Sequence, residues 1–116
     1  MTDEDEFEAV VHQRICEAAR ITGYPFLGLR SLVREMGAYG AAKRLIAPTP
    51  QNLGRFPKGL RVLFDHSLLR DSIEQAVIEF GQSGRLFTAD DVQHAEDRLA
   101  LMGAVLKRRP QPSPKR

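Results

Sequence analysis

Phe87-Thr88-Ala89-Asp90-Asp91-Val92, with the run that follows it to Gly103, specifies a helix several times over. Thr88 is a preferred N-cap, because its hydroxyl can accept from an amide of the first turn. Asp91 stands three residues later, where its carboxylate can answer the cap. Phe87 and Val92 have the spacing of a hydrophobic staple across the helix start. Val92, Ala95, Leu99, Met102 and Leu106 then recur at steps of three and four, which puts them on one face.

The same signals recur toward the N-terminus. Asp71 and Glu74 read as a second capping pair, opening a helix with Ile73, Ala76, Val77 and Phe80 inward, and Gly81 to Gly84 closes it. Thr2 or Asp3 caps a first helix running to about Thr22, with Phe7, Val11, Ile15, Ala18 and Thr22 as its buried stripe and Gly23 as its stop. A second helix is predicted over Phe26 to Met36, with Leu29, Leu32, Val33 and Met36 inward and Gly37 after it. A third covers Tyr39 to Ile46 and ends before Pro48. Residues 47 to 58 read as a loop, and a fourth helix follows Pro57 with Leu60, Leu63 and Phe64 inward. There is no period-two run of the kind a half-buried strand needs. The expected fold is therefore all-α: a compact bundle of five or six short helices over residues 4–106. Residues 107–116, basic and rich in proline, are expected to form a disordered tail.

At 116 residues, 42% hydrophobic and 28% charged, the chain has one domain's worth of core material. No segment approaches the roughly 20 apolar residues that a bilayer crossing requires. The acidic N-terminus does not resemble a signal peptide, and a single cysteine, Cys16, cannot close an internal disulfide. The expectation is a cytoplasmic protein with no membrane partner.

A net charge of +2 conceals strong segregation. Residues 1–8 hold five acids and no base, and residues 30–61 hold seven bases against Glu35 alone. Residues 65–98 hold eight acids against three bases. Such blocks mark a binding face or, equally, surfaces that neutralise each other inside the fold.

The order of these signals resembles an uncharacterised family of small bacterial helical proteins. The resemblance rests on Gly23-Tyr24 after Ala18-Ala19-Arg20, Gly40-Ala41-Ala42-Lys43-Arg44-Leu45, Gly59-Leu60, Leu69 to Glu74, Leu86-Phe87-Thr88, and Arg98-Leu99 before Gly103. It spans about residues 7 to 103. Pro25 and the loop around Pro57 depart from the polar residues of that pattern. The resemblance implies an all-helical fold and carries no activity with it.

Catalytic material is sparse. His12 and Cys16 share a helix face, but no second Cys/His pair exists to complete four zinc ligands. Cys16 lies next to the buried stripe and reads as a small core residue. Asp90 and Asp91 fall in a first helical turn, where acids complement the helix dipole. Asp65-His66-Ser67 has triad residue types in adjacent positions that point apart. No enzyme, metal or cofactor is expected. Leu101, Ala104 and Val105 make the last helix apolar over more than one face, which suits deep burial or a protein interface. The expected function is that of a non-enzymatic interaction protein, with Leu101 and Val105 at an interface with a protein partner or a second copy. The alternative is a DNA- or RNA-binding accessory that grips phosphates with Lys43, Arg44, Arg55, Lys58, Arg61, Lys107, Arg108 and Arg109. In that reading Lys43 and Arg44 face solvent.

Overall fold

A computed structural model describes residues 2–54 and 56–108, with positions 53, 54, 107 and 108 described in backbone alone. Among these residues six helices follow one another: α1 (Asp3–Thr22), α2 (Leu27–Ile46), α3 (Pro50–Gly54), α4 (Lys58–Asp65), α5 (Ile73–Gln82) and α6 (Ala89–Arg108), with a 3₁₀ turn at Leu69–Asp71. No strand forms among the described residues.

Two of the starts are capping boxes. The Thr2 hydroxyl accepts from the Asp5 amide and the Asp5 carboxylate from the Thr2 amide. Thr88 and Asp91 do the same at the head of α6, both bonds at 3.1 Å. The start of α5 differs from expectation. Asp71 ends the 3₁₀ turn, and Ser72 caps the helix by accepting from the Gln75 amide at 3.0 Å. Glu74 is thereby released from any capping role and turns into the core.

Gly23 stops α1 in the left-handed region, at φ 77°. Gly37, at φ 76° and ψ 163°, breaks α2 into two segments without separating them by a loop. A side chain at that φ would be strained, which is why glycine stands there. The break leaves the Ala38 amide without a partner in its own helix. Glu8 of α1 supplies one, accepting through Oε1 at 3.0 Å.

The core gathers around Phe7, which is fully buried and packs edge-on against Phe80 and Phe87 at 5.2 and 5.0 Å. α5 lies at the centre and buries Ile73, Ala76, Val77, Ile78 and Phe80. Ala38, Ala41 and Ala42 have no exposed surface, so the second segment of α2 presses its backbone close to its neighbours. Gly81 does the same between α5 and α6, where any Cβ would collide with Val92. Three expectations are corrected. Residues 47–58 contain the short helix α3, whose Asn52 side chain donates to the Arg44 and Ala47 carbonyls. Met36 lies at the edge of the Gly37 break and is exposed. Cys16 is exposed as well, one position off the Val11–Ile15–Ala18 stripe.

Candidate functional site: an apolar cleft between α2 and α4

Tyr24-Pro25 turns the chain between α1 and α2, and Phe26 follows in the left-handed region at φ 53°. That conformation is costly for an aromatic residue and persists only where the surroundings impose it. Here the imposition is packing: Phe26 is buried, its ring meets Tyr24 edge-on at 4.8 Å, and Gly59 of α4 abuts it so closely that a Cβ would stand 2.8 Å from the ring. Both segments of α2, and α4, border the space beside this contact. Between them is a cleft of about 240 Å³ walled by Leu29, Leu32, Leu45, Leu60 and Leu63.

Two charged residues line it. Lys58 heads α4 with its Nζ 5.6 Å from the centre of the Tyr24 ring, within cation–π range. Glu74 lines it from α5 and is only 3% exposed. Leu27, flanked by the lining residues Phe26 and Gly28, is 66% exposed.

Glu74 is held by the one buried base of the described core, Arg98, itself 2% exposed. Arg98 Nε donates to Glu74 Oε2 at 2.8 Å and its Nη1 to the Asn52 carbonyl at 2.6 Å. The guanidinium stands 5.4 Å from the Phe56 ring centre. One side chain of α6 thus ties down α5, α3 and the strap before α4. The sequence pattern puts the α6 face at Val92, Ala95, Leu99, Met102 and Leu106; Ala95, Met102 and Leu106 are buried there and Val92 and Leu99 half-buried against the core, but it leaves off Asp91 and Arg98. Asp91, Ala95, Arg98, Met102 and Leu106 are the buried positions, also at steps of three and four. The signal was present: Arg98 lies three residues after Ala95 and four before Met102.

The basic positions disperse. Lys43 is exposed, as expected, but engaged: its Nζ bonds Asp91 Oδ1 at 2.8 Å, joining α2 to the α6 cap. The hydrogen bond to Asp91 raises the Lys43 pKa. Burial pushes the Asp91 carboxyl up, but the bonds from Lys43 and Thr88 outweigh it and hold the group below its ordinary value. Arg44 and Arg61 are exposed on α2 and α4. Lys107 and Arg108 lie in α6 with no side-chain description, and Arg55 and Arg109 lie outside the described residues, as does the rest of the expected tail. Other charges also serve the fold: Arg14 pairs with Glu79 at 2.6 Å, and Arg85 with both Asp3 and Glu6. On α6, Leu101 is half-buried and Val105 is 42% exposed.

Among the described residues no group of three potential metal ligands assembles, and no helix is long and apolar enough to cross a membrane. Comparison with protein-family models, curated proteins and solved structures finds no match.

Proposed function

We propose that the protein is a non-enzymatic interaction module that seats an apolar group of a protein partner in the cleft between α2 and α4. The observation that carries this is the cleft itself: five leucines and two aromatic residues around an open volume, with the well-exposed Leu27 beside it. Concave apolar surface with a few placed polar groups is what binding sites are made of. The exposed Val105 on α6 is a second surface for the same role.

A photo-crosslinking residue at Leu27, and separately at Val105, tests this in host cells. Adducts from Leu27 that vanish when Gly28→Leu fills the cleft support the reading. Gly28 suits that purpose because a Cβ there meets no atom within 4 Å. Adducts from Val105 alone move the interface to the last helix, and an adduct of twice the chain's mass makes the partner a second copy. The reading fails if neither position yields one.

Nucleic-acid binding is the second reading, favoured by exposed Arg44, Lys58 and Arg61. It counts one cation fewer now that Lys43 is engaged with Asp91. A DNA and RNA anisotropy titration at two salt concentrations decides it, since phosphate contacts weaken steeply with salt.

A further inference from the structure

We propose that the group seated in the cleft is an aromatic ring bearing a hydrogen-bond donor, tryptophan in particular, on an acidic segment of a different protein. This inference rests on the interaction reading above and names the chemistry of the partner.

Size comes first. A cavity of about 150 Å³ accepts benzene, so the 240 Å³ available here has room for the two fused rings of indole. The walls are apolar, as a ring face requires.

The buried polar residue of the lining then selects among rings. Glu74 is almost wholly buried, and among the described residues its ion pair with Arg98 engages one carboxylate oxygen, Oε2. A carboxylate offers about four acceptor sites. An occupant without a donor would seal this residue from water and leave acceptor capacity unmet, which is costly for a charged group. An indole N–H or a phenol O–H can meet it. The mouth adds a second criterion: Lys58 is the one cation of the lining, so a partner's carboxylates beside the anchor are attracted there.

The chain cannot supply an indole or a free phenol to a second copy of itself. It has no tryptophan and two tyrosines. Tyr24 forms part of the cleft wall, and Tyr39 packs on Phe87 at 5.4 Å. The partner is therefore another protein.

The missing tryptophan also makes the test direct, because a peptide's own indole emission is unobscured. The probe is an Asp/Glu-rich peptide of about ten residues with one central Trp, compared with Phe and Leu versions followed by anisotropy. The expected result is a blue-shifted emission on binding, with the Phe version weaker by roughly tenfold or more, as loss of a hydrogen bond to a charged group implies. Lys58→Glu and added salt should each weaken binding several-fold, and Gly28→Leu should abolish it. If Phe and Leu peptides bind as tightly as the Trp peptide, the donor pairing is overturned while the cleft remains a binding site. If binding survives Gly28→Leu, the occupant sits elsewhere and the proposal falls. If no peptide binds at millimolar concentration while Leu27 still crosslinks, this chemistry is wrong and the interaction reading stands; if crosslinking fails too, both fall.

Discussion

Arg98 and Glu74 show how much depends on single side chains in a core this small. Removing one member of a buried ion pair leaves the other charge without compensation, at a cost of about 3–5 kcal/mol. Glu74→Leu alone and Arg98→Met alone should each lower stability by that order in urea unfolding. The double variant should recover most of the loss, since apolar replacement of a whole buried pair is often neutral. A double that is no better than either single would show that the Asn52 carbonyl and the Phe56 contact matter more than the pair. Asp91 gives a pH signature. Its folded pKa lies below the ordinary value, so its contribution is complete above the unfolded pKa of about 3.9 and is lost as pH falls through the folded one. Asp91→Asn should therefore be less stable than the parent at about pH 7, and the two should converge near about pH 2, measured by urea unfolding at each pH. Lys43 bears the opposite sign: its contribution holds below its unfolded pKa and fades only as strongly basic pH passes the raised folded value.

At the scale of elements, caps and stops were legible because they are local. Thr2, Thr88, Gly23 and Gly37 act where their spacing placed them, since each answers to backbone groups within a few residues. The start of α5 shifted by one residue because Asp71 and Ser72 are both competent caps and tertiary packing chose between them. Ser72→Ala should accordingly cost about 1 kcal/mol and Asp71→Ala about 0.5 kcal/mol or less, read from the midpoints of chemical unfolding. Equal losses would mean that the 3₁₀ turn carries the Asp71 effect. Non-local features escaped. The Glu8–Ala38 bond spans thirty residues of sequence, and the Arg98–Glu74 pair joins two helices whose relative rotation no periodicity reports. The cleft escaped for the same reason. Leu29, Leu32, Leu60 and Leu63 were marked as inward, but whether two inward faces touch or gape is decided by Phe26 and Gly59 holding the helices at one end.

For the whole molecule, charge cross-links the helices at a few points, with Lys43 the one base of residues 30–61 held in an ion pair among the described residues. Arg85 fastens the acidic head of α1, Arg14 reaches Glu79 of α5, and Lys43 reaches Asp91 of α6. The exposed pairs among them, those of Arg85, contribute about 0–1 kcal/mol each, so they set the register of the helices more than their stability. The greater asymmetry is mechanical. Gly37 divides α2 so that Ala38, Ala41, Ala42 and Ile46 are buried on the far side, while on the near side Val33 is the one fully buried residue of its segment. Native proteins open in cooperative units whose free energies track buried contact. Amides of 38–46 should exchange with deuterium only at the rate of global unfolding, and those of 30–36 faster, through an opening about the Gly37 joint; uniform protection along α2 would refute this. The first segment of α2, which lends the cleft Leu29 and Leu32, should then open separately, and an occupant that presses it against α4 would be detected as slowed exchange concentrated in 30–36.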